Sequence, residues 1–230
     1  MKLVLFDIDG TLLSSGGAGR RAMRRALSNV FGSWGDPAYR YDGKTDRQIV
    51  RDLMRGAGHG DPYIDERMDE LFERYLRELA VEMEQGETPP LVLPGVLRLL
   101  DELEGRDDVV LGLLTGNIAP GAAVKLRAAG LDVERFRVNA YGSDHESRPE
   151  LPSFAQRRAR DVLGRDVDPG LMVVIGDTPA DVHCGQSAGA RTVAVATGHY
   201  SSEELRMHAP TAVFETLTDT VAVMAVITDA

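Results

Sequence analysis

Residues 2–13 read KLVLFDIDGTLL. Leu3, Val4, Leu5 and Phe6 form an uninterrupted apolar run, the pattern of a strand buried on both faces, and the run stops at Asp7. Asp7 and Asp9 follow two positions apart, so alternation along an extended backbone sends both carboxylates to the same side. Gly10 lets the chain turn just past the strand's carboxyl end, which is where open α/β sheets bind ligands. Two like charges so close repel each other unless a cation lies between them, and an all-oxygen donor set suits Mg²⁺.

The stretch after residue 105 places that strand in a sheet. It alternates VVLGLLT (109–115), a helix from about 120 to 129, a short strand near 136–140, a helix over 154–163, LMVVIGD (171–177), a helix near 180–188 and RTVAVAT (191–197). A strand near 212–214 and a helix from Leu217 close the series. Such alternation predicts a parallel sheet with helices on both faces. Between the first strand and this series the character changes. Residues 18–31 give an amphipathic helix with Met23, Leu27, Val30 and Phe31 on one stripe, and with Arg20, Arg21, Arg24 and Arg25 read as a solvated face. Residues 46–57 give a helix capped by Thr45 or Asp46, and residues 64–85 a long charged one. The expected fold class is therefore α/β: a Rossmann-like parallel-sheet core domain from 1–14 and 91–230, with an inserted α-helical domain over 15–90.

Composition narrows the functions. Over 230 residues, 43% hydrophobic content with 6% aromatic is that of an ordinary globular chain, long enough to bury a sizeable core. A net charge of −10 argues against a nucleic-acid partner, since a phosphate backbone selects basic surfaces. No apolar run approaches the roughly 20 residues that span a bilayer. The single cysteine, Cys184, forms no internal disulfide, and no leader precedes the first strand, so the expected location is cytoplasmic. Small anionic substrates remain possible where positive charge is concentrated locally; no nucleic-acid and no membrane partner is expected, and the expected state is a monomer or homodimer.

Two further strand ends carry chemistry. The strand 109–114 runs into Thr115-Gly116-Asn117, a hydroxyl, a flexible glycine and an amide suited to binding phosphate oxygens. The strand 171–175 runs into Gly176-Asp177-Thr178-Pro179-Ala180-Asp181, adding Asp177 as a candidate metal ligand and Asp181 to complete or orient the shell. Three strand ends thus bring four carboxylates and a hydroxyl to one edge. In this combination and order the chain resembles the haloacid dehalogenase superfamily of phosphatases. Its first motif, DxDGT, is matched by residues 7–11, its second by Thr115 and its neighbours, and its fourth, GDxxxD, by residues 176–181. The resemblance implies Asp7 as nucleophile, Asp9 as general acid and base, and Mg²⁺ held by Asp7, the Asp9 backbone carbonyl and Asp177. The insertion resembles the family's C1 helical cap, as in phosphatases of the phosphoglycolate type.

The third motif departs from pattern. Where the family has a lysine ahead of the helix before the fourth motif, this chain reads ESRPELP over residues 146–152, which offers Arg148; Lys125, on the helix after Thr115, is the alternative. In the helical block, Gly43-Lys44-Thr45-Asp46 resembles the family's substrate-facing loop, with Lys44 placed to meet a carboxylate or second anionic group. The five histidines show no metal-ligand spacing, and His183 and Cys184 read as packing on the helix after the fourth motif. The expected activity is phosphomonoester hydrolysis through an aspartyl-phosphate. A phosphomutase or phosphotransferase on the same core, and a non-catalytic ligand-binding relative, are the alternatives. Asp9 favours phosphoester over halide chemistry, because a leaving alcohol needs a proton.

Overall fold

The computed structural model describes residues 1–228 and builds a six-stranded, wholly parallel sheet. In chain order its strands are β1 (Lys2–Phe6), β4 (Val109–Thr115), β5 (Val138–Tyr141), β6 (Met172–Gly176), β7 (Arg191–Val195) and β8 (Ala212–Phe214); a small second ladder pairs β2 (Leu13–Ser14) with β3 (Leu91–Val92). The spatial order is β5-β4-β1-β6-β7-β8, with β1 inside the sheet between β4 and β6. Leu3 stands opposite Val110 on one side and Met172 on the other, so the strands ending in Asp7, Thr115 and Gly176 reach one edge side by side. Every residue of β1 is buried, as its uninterrupted apolar run requires.

The helices follow in order as α1 (Ala18–Phe31), α2 (Asp46–Gly56), α3 (Asp61–Gln85), α4 (Val96–Glu104), α5 (Ala119–Ala128), α6 (Leu151–Leu163), α7 (Pro179–Ser187), α8 (Ser202–Arg206) and α9 (Thr220–Thr228). Two apolar clusters cover the faces of the sheet: Phe6, Leu99, Leu113, Ile175 and Val223 on one side, Leu5, Leu114, Ala155 and Val174 on the other. Helices α1, α2 and α3 close a separate cluster around Leu27, Leu53, Leu71 and Tyr75. The chain leaves the sheet along β2 and returns along β3, antiparallel and paired through Leu13 and Val92. This short ladder has too few residues to show as a periodic pattern, and it was not expected from the sequence.

One expectation changes. The arginines of α1 are partly solvated but also engaged: Arg21 and Arg25 pair with the buried Glu82 of α3 at 2.7 and 2.5 Å, while Arg20 and Arg24 stack on Tyr41 and Trp34. A buried carboxylate needs such partners, and α3 supplies it where α1 crosses. No helix among the described residues is long and apolar enough to cross a membrane.

Candidate active site

The sheet's carboxyl edge opens into a cavity of about 520 Å³, roofed by the three-helix cluster and lined by Asp7, Asp9, Thr115, Lys125, Arg148 and Asp177 among others. The loop after β1 is built by one carbonyl, Ile8 O, which accepts from Thr11, Leu12 and Leu13 N–H at 3.3, 2.9 and 3.1 Å. Gly10 sits at φ 81°, and a Cβ there would run into the Asp177 carboxylate. Glycine is therefore required both by conformation and by contact.

Asp7, Asp177 and Asp181 each bring one oxygen within 4.8 Å of the others, all three buried. Arg148 lies among them, its Nη2 3.3 Å from Asp7 Oδ1 and in an ion pair with Asp181. Burial pushes Asp7 up to about 6, against the pull of Arg148 and the Thr115 hydroxyl, and burial together with Asp181 holds Asp177 well above the usual carboxylate range. Three carboxylates facing one guanidinium leave excess negative charge, which a divalent cation with oxygen ligands balances. The donor set thus fits such an ion. Asp177 accepts from Thr11 Oγ1 at 3.2 Å, and Asp181 completes a capping box with Thr178 at the start of α7.

The Asp9 side chain lies apart from that cluster. Its Oδ2 accepts from Lys125 Nζ at 2.5 Å and Asn117 Nδ2 at 3.0 Å, and its Oδ1 from Ser15 Oγ at 3.0 Å. Lys125 also donates to Asn117 Oδ1 at 2.6 Å, and Asn117 to Thr115 Oγ1 at 2.8 Å, closing a network. Burial opposes ionisation of Asp9, but Lys125, Asn117 and Ser15 more than offset it and hold the carboxyl below its ordinary value. The two cations are thereby divided: Arg148 faces Asp7, and Lys125 faces Asp9.

Other expected residues have partners that the sequence did not reveal. Asn117 orients Asp9 and Lys125, and the Gly116 carbonyl accepts from Asp46 N at 2.8 Å. Thr45 is the cap of α2, taking Gln48 N–H, and it also donates to Glu146 O at 2.6 Å. Asp46 is buried and receives Ile118 N–H at 2.8 Å, so residues 45–46 bind the helical layer to the loops that follow β4 and β5. Lys44 lines the cavity, yet its ammonium is engaged 3.8 Å over the Tyr39 ring and 3.6 Å from Asp52. Cys184 is packed, with Sγ on Arg148 O, whereas His183 is exposed and meets His208 rather than packing inward.

Ser15, Thr197 and Gly198 were missed. The signal for the last two was another strand end: β7 runs into Thr197-Gly198, Thr197 Oγ1 donates to Gly10 O at 2.5 Å, and a Cβ on Gly198 would strike Asp177 Oδ2.

The chain is 28% identical over 228 residues to probable phosphatase IndB of Dickeya dadantii, covering 95% of this chain and 91% of that one. It is 29% identical over 218 residues to the phosphoglycolate phosphatase of Rhodospirillum rubrum, covering 93% and 87%. Against the N-acetylmuramic acid 6-phosphate phosphatase of Pseudomonas aeruginosa it is 28% identical over 222 residues, covering 90% and 87%. Among solved structures, a hydrolase from Pseudomonas syringae superposes with a TM-score of 0.74 at 22% identity, covering 97% of this chain and 98% of that one. CbbY from Rhodobacter sphaeroides in complex with phosphate gives 0.74 at 20%, covering 95% and 96%; at these identities the likeness is one of fold. The family model described as haloacid dehalogenase-like hydrolase matches residues 4–186, from the first strand through the helix that carries Asp181, and the chain belongs to that family.

Proposed function

We propose that this hydrolase is a Mg²⁺-dependent phosphomonoesterase for a small phosphorylated metabolite, with Asp7 as nucleophile and Asp9 as general acid and base. The observation that carries the reading is the buried Asp7 carboxylate at the end of an interior strand, with Arg148 at 3.3 Å and the carboxylates of Asp177 and Asp181 beside it. Asp7 attacks phosphorus and the bond to the leaving oxygen breaks as Asp9 delivers a proton to it. Water then attacks the aspartyl-phosphate, losing its proton to Asp9; the bond to Asp7 breaks and inorganic phosphate leaves. Asp9 enters the first step protonated and regains a proton from water in the second; Lys125, which holds the carboxyl below its ordinary value, favours the ionised form that the first step leaves and the second starts from. Asp7, the Asp9 carbonyl and Asp177, with Asp181 supporting, would hold Mg²⁺, which when bound would supply charge neutralisation at the phosphate. Arg148 adds a fixed positive charge on the same side.

Residues 15–90 act as the cap in this reading. The Thr45, Asp46 and Arg51 contacts with Glu146 and the loop after β4 keep it seated over the sheet edge, shielding the reacting carboxylate from bulk water. Relatives named as phosphatases, one of them for phosphoglycolate, support a small substrate. A single buried cysteine accords with a reducing compartment such as the cytoplasm. The test is a phosphate-release screen over phosphorylated metabolites with Mg²⁺ and with EDTA. Release that EDTA abolishes is expected; no release from any ester, or isomerised product without free phosphate, would overturn the reading.

A further inference from the structure

Lys44 lines the cavity, but its ammonium is held by two side chains outside the cavity wall. It lies 3.8 Å over the Tyr39 ring and 3.6 Å from Asp52 Oδ2. Those two groups are joined in turn, Tyr39 Oη donating to the same Asp52 oxygen at 2.5 Å, so ring and carboxylate form a ready-made seat for the cation. The Lys44 and Asp52 side chains are 30% and 33% exposed, far enough from water for ring and charge together to hold the ammonium. The other cations of the wall are committed. Arg148 Nη2 meets Asp7 and Asp181, and Lys125 donates to Asp9 and Asn117. Arg20 donates through Nη2 to Pro37 O and Tyr39 O and lies 4.8 Å from the centre of the Tyr41 ring. Along the same wall, the carboxylates of Asp42 and Asp46 add to those of Asp7, Asp9 and Asp177. Tyr75 marks a corner where this acidic field is felt: burial, with the Asp46 and Asp9 carboxylates, pushes its hydroxyl well above the ordinary value.

We infer that Asp52 is a specificity-determining residue: it positions Lys44 against Tyr39, so that the cavity withholds this cation from the leaving group and favours an uncharged alcohol over an anionic one. The inference rests on the phosphatase reading for its reaction, and it reverses the anion-meeting role that the sequence gave Lys44. A leaving group with its own negative charge is desolvated beside Asp9 and Asp46 while Lys44 is already spent. An unpaired buried charge costs far more than a buried hydroxyl, which both donates and accepts. Asp52 lies outside the cavity wall and acts through Lys44, so its removal changes selectivity rather than chemistry.

The test measures kcat/KM for 2-hydroxyethyl phosphate and for 2-phosphoglycolate, which carries a carboxylate in place of the hydroxymethyl group, in the full-length wild type, Asp52→Asn and Asp52→Asn with Lys44→Met. Wild type favours the uncharged alcohol. Asp52→Asn keeps an acceptor for Tyr39 but removes the charge that holds Lys44, and the ratio moves towards the carboxylate ester by roughly tenfold, mainly through KM, the scale of one hydrogen bond to a charged group. Adding Lys44→Met returns the ratio to that of wild type. A ratio of two substrates on one protein cancels any loss of folded enzyme, so a merely structural role for Asp52 leaves it unmoved. Calorimetric titration of both esters into the same proteins carrying Asp7→Asn, which needs no turnover, reads the same shift in Kd. If wild type hydrolyses no ester but the Kd ratio still moves with Asp52→Asn, the phosphatase reading fails and the role of Asp52 stands. A wild type that prefers the carboxylate ester, a ratio unmoved by Asp52→Asn, or a shift that survives Lys44→Met overturns it.

Discussion

At the scale of single residues, the division of cations decides what each substitution does. Arg148 lies between Asp7 and Asp181, so Arg148→Ala removes the charge facing the transferring oxygens and lowers kcat by about 10²- to 10³-fold. Arg148→Lys keeps the charge but not the planar guanidinium whose single Nη2 meets both carboxylates, and recovers only part of the rate. An unchanged kcat in Arg148→Ala would refute the placement. Lys125 acts on Asp9 instead, whose carboxyl it holds below the ordinary value. Removing the ammonium in Lys125→Met therefore raises the pH at which Asp9 loses its proton, and the limb of the pH–rate profile that belongs to Asp9 moves to higher pH. A profile that stays in place would separate Lys125 from Asp9 function. The sequence offered these two cations as rivals for one role, because nothing local says which carboxylate each faces: Lys125 and Asp9 are 116 positions apart.

Elements show why some of the site was legible and some was not. The strand ends at Asp7, Thr115 and Asp177 were readable because an apolar run that stops at polar residues is a local pattern. Asp46 was read as part of a helix start, and Thr45 does cap α2; the buried bond from Ile118 N–H to Asp46 is a long-range event that no spacing encodes. The partners of the half-exposed α1 arginines were missed for the same reason, since Glu82 lies on another helix. Asp46 carries a measurable consequence. Burial raises it from 3.8 to about 6, against the pull of Lys125 and the Ile118 N–H, so its contribution to stability is present below pH 3.8 and lost as pH rises through 6. Asp46→Asn keeps an acceptor oxygen without the charge, and at pH 8 relieves a penalty of up to about 3 kcal/mol. Thermal melts should show Tm higher than wild type by a few degrees at pH 8 and little difference at pH 4; a lower Tm at pH 8 would show that the ionised form is the one the fold prefers. The turn after β7 makes a second test. Gly198→Ala drives a methyl into Asp177, and Mg²⁺ titration of the variant should show affinity weakened by roughly 10-fold or more, the scale of lost support around a metal ligand. Undiminished affinity would detach Asp177 from the metal.

The whole molecule joins two apolar bodies across a polar seam. The sheet and its helices hold the carboxylates rigidly, while α1, α2 and α3 form their own cluster and meet the sheet edge through Thr45, Asp46 and the Arg51–Glu146 pair. Burying Asp7, Asp177 and Asp181 together costs stability that Arg148 alone does not offset, an arrangement that makes sense for a site occupied by a cation and a phosphate. The most direct measurement is steady-state phosphate release by Asp7→Asn, beside wild type, at saturating Mg²⁺ on whichever ester the screen identifies, with circular dichroism to follow the fold. Because the buried Asp7 carboxyl is pushed up to about 6, neutralising it leaves the metal-free fold at least as stable at pH 7, while removing the nucleophile takes turnover to background. A correctly folded Asp7→Asn protein that keeps turnover within about tenfold of wild type, a barrier change of only about 1.4 kcal/mol, would contradict the account.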